Sequence, residues 1–313
     1  MTTIPRLRGA YTALVTPFLP DGSLDEAAVV RLAERQIDLG INGLVPVGTT
    51  GESPTTTHEE DDRIISLVIE TVARKGLTGT LPVIAGTGSN DTATVIPATQ
   101  RAKELGADAA LVVAPYYNKP DQRMLEYHYT KVAEEGGLPI VVYNVPGRTG
   151  TNIEPATLMR IARHPNVIAV KEASGNIEQI MTILRDRPES LAVLSGDDSM
   201  TFPMLALGGD GIISVASNQV PDVMAKLCAL AFSGDWEAAR ALHNRYLELM
   251  RVNFISPNPV PVKAALAEMG LIHDVLRAPL LPMDEALRPR LRAALDAAGL
   301  LPAAAGAPVA VPA

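Results

Sequence analysis

Short runs of apolar, β-branched residues alternate along this chain with longer segments whose apolar positions recur at helical spacing, the pattern of consecutive strand-helix units. Eight such runs stand out, at 10–18, 43–48, 81–87, 109–115, 139–146, 167–174, 191–197 and 211–217. Helical stretches such as LDEAAVVRLAERQIDLG, HEEDDRIISLVIETVARKG and TATVIPATQRAKELG separate them, several ending at glycine, a common helix stop. Gly40, Gly106 and Gly208 mark the same turn from helix to strand three times. The strands are apolar along their length, so both faces are expected to be buried, as in a parallel sheet covered by helices. Eight repeats without a complete dinucleotide fingerprint favour a closed (β/α)8 TIM barrel over an open doubly wound sheet.

Residues 1–220 are therefore assigned to the barrel up to strand eight. After it come only helical patterns, at 221–232, 235–250, 259–269 and 284–298, so 221–300 reads as the last barrel helix and a C-terminal helical extension. The closing PAAAGAPVAVPA lacks periodicity, and 301–313 is expected to be a disordered tail.

With 47% hydrophobic and 20% charged residues, the composition is that of a globular α/β enzyme rather than a disordered chain. A net charge of −8 leaves nothing to attract nucleic acid or an anionic membrane. The N-terminal stretch MTTIPRLRGAYTALVTPF has neither an unbroken apolar segment nor a small-residue cleavage site, so a cytoplasmic location is expected. Cys228 is the only cysteine and lies in an apolar helical run, where it reads as core filler.

Barrel chemistry sits at the C-terminal ends of the strands, so polar residues that interrupt apolar runs there carry the information. They include Thr49, Thr50, Tyr116, Tyr117, Tyr143, Arg148, Lys171, Ser195 and Ser214. Of the lysines at 75, 103, 119, 131, 171, 226 and 263, six lie in polar, helical or loop surroundings that suit a solvated amine. Lys171 instead follows VIAV directly, where desolvation would lower its pKa and make it a nucleophile able to form imines with keto acids. The competing reading is a strand-end lysine paired with Glu172. Tyr143, Tyr117, Tyr116, Thr49 and Thr50 could carry the protons that imine chemistry moves. The histidines at 58, 128, 164, 243 and 273 show no metal-ligand spacing and read as surface or capping residues, which argues against a metal-dependent aldolase. Gly86-Thr87-Gly88-Ser89-Asn90 lacks the third glycine of a dinucleotide site. The amides of Gly48-Thr49-Thr50-Gly51-Glu52 could cradle a small carboxylate.

From about residue 7 to 301 the chain resembles the N-acetylneuraminate lyase/dihydrodipicolinate synthase superfamily of class I aldolases. The motifs that carry the resemblance are GTTGE at 48–52, PYYN at 115–118, YNVPGRT at 143–149, VKEA at 170–173 and LSGDD at 194–198, in this order. The threonine pair and Arg148 are similar to the dihydrodipicolinate synthase branch rather than to sialic acid lyases. That resemblance implies condensation of pyruvate with L-aspartate 4-semialdehyde, on the route to diaminopimelate and lysine, with no cofactor and no metal. It implies Lys171 as the imine-forming residue, Tyr143 as the acid/base and Thr49 as a link from Tyr143 to Tyr117, itself contributed by the neighbouring subunit of a tight dimer. Two such dimers would make a homotetramer. Thr50 and the adjacent amides would hold the pyruvate carboxylate and Arg148 that of the semialdehyde, while the Gly196 and Ile213 carbonyls would line the site.

The same resemblance places a possible lysine effector site at Ser53, Pro54, His58, Asp61, Asn90, Thr94 and Tyr116. Thr94 stands where lysine-sensitive relatives carry a glutamate, so weak inhibition or none is expected. Two other functions remain open. One is a sister aldolase or dehydratase acting on 2-keto-3-deoxy sugar acids or 4-hydroxy-2-oxoglutarate; the other is a non-catalytic barrel that binds keto acids.

Overall fold

The computed structural model of the chain describes residues 6–301. The first five residues and the expected tail beyond Leu301 lie outside them. Eight strands occur among the described residues: β1 (Gly9–Ala13), β2 (Gly43–Val45), β3 (Ile84–Gly86), β4 (Ala109–Val113), β5 (Ile140–Asn144), β6 (Val167–Glu172), β7 (Ala192–Ser195) and β8 (Gly211–Ser214). The helices around them are α1 (Glu26–Asp38), α2 (His58–Arg74), α3 (Thr92–Leu105), α4 (Gln122–Glu135), α5 (Pro146–Thr149), α6 (Pro155–Ile161), α7 (Ile177–Asp186) and α8 (Thr201–Ala206). Four more follow β8: α9 (Pro221–Phe232), α10 (Trp236–Val252), α11 (Val260–Glu268) and α12 (Arg288–Ala297).

All strand pairs are parallel, in the order β2-β1-β8-β7-β6-β5-β4-β3. The seam between β2 and β3 is drawn together by one bridge, Leu44 with Val83, and by N–H bonds from Leu44 to the Pro82 carbonyl and from Gly86 to the Pro46 carbonyl. The result is the expected TIM barrel. Side-chain alternation divides its core in two. On β5, Ile140 and Val142 pack outward with the helices, whereas Val141 and Tyr143 join Tyr11, Leu111, Leu194 and Ile213 inside the barrel. The three glycines at the helix-to-strand turns all adopt positive φ, 81° at Gly40, 100° at Gly106 and 95° at Gly208, conformations that disfavour any side chain.

The strands end earlier than the apolar runs do. β2 stops at Val45 because Val47 turns into the left-handed region at φ 59° and carries the chain into the Gly48–Glu52 loop. Gly86 and Gly88, the incomplete phosphate motif, serve strand packing: a Cβ there would lie 2.0 Å from the Val47 carbonyl oxygen and 2.4 Å from the Val113 nitrogen.

The C-terminal helices are wedged into the barrel rather than merely appended. Val260 to Leu266 of α11 are all buried. Lys263, expected to be solvated, is a correction: its side chain has no exposed surface and its Nζ donates to Glu52 Oε1 at 2.5 Å and to the Thr16 carbonyl at 2.9 Å. The Arg277 amide donates to the other Glu52 oxygen at 3.1 Å. A buried cation of this kind persists only because a carboxylate and a carbonyl replace its water. His128 and His243 are also buried rather than surface residues, with His128 Nδ1 against the Thr92 hydroxyl at 2.9 Å and His243 stacked on Phe202.

Candidate active site

Period-two alternation along β6 sends Val170 outward and Lys171 into the barrel. β5 and β6 pair Tyr143 directly with Lys171, and Lys171 Nζ lies 4.2 Å from the centre of the Tyr143 ring. Only 4% of Lys171 is exposed. Burial brings its ammonium pKa down to about 7; the Asp198 carboxylate works against this and the Arg148 guanidinium with it. At neutral pH a large share of the amine is therefore free to attack a carbonyl.

Glu172 points the other way, which overturns the reading of a Lys171–Glu172 pair. It accepts from the Ser174 N–H at 2.7 Å and from Asn144 Nδ2 at 3.0 Å, among polar groups outside the barrel. The acid near Lys171 is instead Asp198, which the sequence motif contained but did not single out. Burial pushes Asp198 up to about 6, although the Ser214 hydroxyl and the Val215 and Ala216 amides all donate to it.

Gly196 abuts the lysine stem. A Cβ there would stand 3.1 Å from both Cγ and Cε of Lys171 and 2.7 Å from the Ala173 Cβ, so only glycine leaves the stem its path. Ile213 is fully buried in the same inner layer as Tyr143. Burial raises the Tyr143 phenol; the positive charge of Arg148 and then the Thr49 hydroxyl beside it pull in the opposite direction. Thr49 and Thr50 open a 3-10 turn, and no group among the described residues accepts from either of their N–H groups. Two adjacent free amides at a turn suit a carboxylate. Thr50 itself is buried, and its hydroxyl accepts from Asn258 Nδ2 at 3.1 Å. Arg148, on α5, donates to the Asn258 carbonyl at 3.4 Å.

Lys171, Tyr143, Thr49, Thr50, Arg148, Gly196 and Ile213 thus converge. Tyr117 does not join them: it is 88% exposed and protrudes from this chain at φ 74°. A cavity of about 690 Å³ leads from Thr49, Val145 and Arg148 outward between α2 and α3. Ser53, Pro54, His58, Asp61, Thr94 and Tyr116 are in its wall; Asn90 is not, and its carbonyl instead accepts from Asn118. No helix among the described residues is long and apolar enough to cross a membrane.

Comparison with known proteins agrees with this geometry. The model of the dihydrodipicolinate synthetase family matches residues 6–298. A 4-hydroxy-tetrahydrodipicolinate synthase of Koribacter versatilis is 49% identical over 300 residues, covering 95% of this chain and 97% of that protein. The chloride-inhibited dihydrodipicolinate synthase of Acinetobacter baumannii, solved in complex with pyruvate, superposes with a TM-score of 0.91 at 42% identity, covering 94% of this chain and 100% of that one. A monomeric dihydrodipicolinate synthase variant gives a TM-score of 0.91 at 44% identity, over 95% of this chain and 98% of the other. With the family model spanning the barrel and the C-terminal helices alike, the chain belongs to the dihydrodipicolinate synthetase family.

Proposed function

We propose that this protein is a 4-hydroxy-tetrahydrodipicolinate synthase, which joins pyruvate to L-aspartate 4-semialdehyde through an imine on Lys171. The observation that carries the reading is a desolvated lysine with its amine lowered to about 7, set against a tyrosine inside the barrel mouth. The neutral amine adds to the pyruvate keto carbon, and the carbinolamine loses water as Tyr143 delivers and recovers a proton. The imine draws electrons from the pyruvate methyl, which gives up a proton to form an enamine. The enamine carbon then attacks the semialdehyde carbonyl, whose oxygen takes a proton to become the 4-hydroxyl. Finally the semialdehyde's own amine displaces Lys171 from the imine, closing the ring and freeing the enzyme.

Thr50 and the free amides of Thr49 and Thr50 hold the pyruvate carboxylate in this scheme. Arg148 offers a planar two-pronged match to the carboxylate of the semialdehyde. Tyr117 completes the proton path from a second subunit, which fits its protrusion from this chain, and two tight dimers form the tetramer. A cytoplasmic location fits an enzyme that draws on two soluble metabolites. The deciding experiment is an assay with pyruvate across a panel of aldehydes: turnover with L-aspartate 4-semialdehyde far above that with sugar-derived aldehydes or glyoxylate is expected. Preference for either of the others would transfer the protein to a sister activity.

A further inference from the structure

Asn258 lies between α10 and α11, with 6% of its surface exposed and more than two hundred residues from the barrel-mouth loop it touches. Its side-chain N–H donates to Thr50 Oγ1 at 3.1 Å and its backbone carbonyl accepts from Arg148 at 3.4 Å. One residue of the turn between two C-terminal helices therefore touches both groups assigned to the two substrate carboxylates. Its own carbonyl oxygen, Oδ1, is buried without a hydrogen-bond partner among the described residues. A buried acceptor left unpaired costs stability, so the carboxamide is poorly explained as a device for holding the fold.

The direction of the bond to Thr50 matters more than its existence. Because Asn258 donates, the Thr50 hydroxyl spends a lone pair on it and keeps its own proton, which has no acceptor among the described residues. That proton and the free N–H groups of Thr49 and Thr50 are then available to one anion. The Lys263–Glu52 pair anchors α11 to the same loop two residues after Thr50, holding donor and hydroxyl together.

We propose that Asn258 is a positioning residue for pyruvate, one that turns the Thr50 hydroxyl into a donor toward the pyruvate carboxylate. The inference rests on the imine mechanism above and deepens it. Three forms of the enzyme separate it from a packing role. Asn258→Leu keeps the branched shape at Cγ, with two somewhat larger methyl groups, and removes the donor and the unpaired acceptor together. Asn258→Asp is nearly isosteric but can only accept, so it captures the Thr50 proton and sets a second negative charge near the substrate.

The readout is the pyruvate concentration that gives half-maximal borohydride labelling of Lys171, alongside the melting temperature. Loss of one hydrogen bond to a charged group predicts a rise of about tenfold for Asn258→Leu, and a larger one for Asn258→Asp. The melting temperature of Asn258→Leu should stay within a few degrees of the parent. The half-saturating semialdehyde concentration should change little, since the backbone carbonyl still meets Arg148. A packing role gives the opposite ranking, with Asp tolerated best and Leu losing stability, and that ranking, or labelling at parental pyruvate concentrations in both variants, overturns the inference. Failure of pyruvate to label Lys171 in the parent would instead overturn the function proposed above.

Discussion

Lys171 and Tyr143 face each other across adjacent strands in direct register, with the lysine nitrogen 4.2 Å from the centre of the aromatic ring. The ring face favours a cation, so it stabilises both the ammonium and the protonated imine that replaces it, while the phenol stays available for protons. Reduction with borohydride in the presence of pyruvate should fix a pyruvyl group on Lys171 alone, as read by peptide mass mapping. Lys171→Ala should abolish labelling and lower turnover by on the order of a thousandfold or more. Tyr143→Phe keeps the ring and loses the proton carrier, so labelling should persist but slow by about a hundredfold or more.

The two charges near Lys171 act in opposite senses, which gives a paired test in pH. Imine formation needs the free amine, so its rate at low pyruvate should climb with pH and level off above about 7. Asp198 holds the lysine pKa up; Asp198→Asn should move the inflection to lower pH. Arg148 holds it down, so Arg148→Ala should move the inflection to higher pH, and should impair turnover with the semialdehyde more than labelling by pyruvate. Identical profiles in all three forms would show that neither charge reaches the amine.

Lys263 and Glu52 form an ion pair with no exposed side-chain surface. Lys263→Met leaves Glu52 buried with the Arg277 amide as its remaining neighbour and should cost about 3–5 kcal/mol in urea unfolding. The double variant Glu52→Gln, Lys263→Met should recover part of that loss, because the uncompensated charge is gone.

Tyr117 exposes 88% of its surface in the single chain. If its phenol serves a neighbouring subunit, Tyr117→Phe lowers turnover, and specific activity falls on dilution as monomers accumulate in analytical ultracentrifugation. Full activity in a proven monomer would remove Tyr117 from the proton path.

L-Lysine should inhibit weakly or not at all. Thr94 supplies no charge for an ammonium, and of the two acids in the cavity wall Asp62 already pairs with Arg101 at 2.7 Å, while Asp61 accepts from the Thr56 hydroxyl at 2.6 Å and is pushed up to about 6 by burial. Titration at saturating pyruvate should show little effect below millimolar lysine; sub-millimolar inhibition would mean that Asp61 has been recruited.

The barrel and its mouth were legible because strand periodicity and strand-end chemistry are both local. An apolar run that breaks at a polar residue reports burial and address at once, which is why Lys171, Tyr143 and Thr49 stood out. Asp198 was visible only as one acid of a pair, since nothing local says which of Asp197 and Asp198 turns inward. Asn258 and Lys263 were illegible for another reason. Their partners, Thr50 and Glu52, lie more than two hundred residues away, and a lysine in PVKAALAE has the same sequence signature whether its amine meets water or a buried glutamate. Tyr117 carries its signal outward, to a surface that one chain does not complete.

The seam between β2 and β3 gives the barrel an uneven circumference. Both strands are only three residues long, and they are joined by one bridge, whereas β5 and β6 share a register from Ile140 to Asn144. A closed ring under thermal strain opens where its ladder is thinnest. Here that place adjoins the Gly48–Glu52 loop, so backbone amides around Leu44 and Gly86 should exchange hydrogen for deuterium well before those of β5 and β6. Breathing of the wall there would loosen the carboxylate cradle before it reached the longer β5–β6 ladder that carries the lysine and its tyrosine.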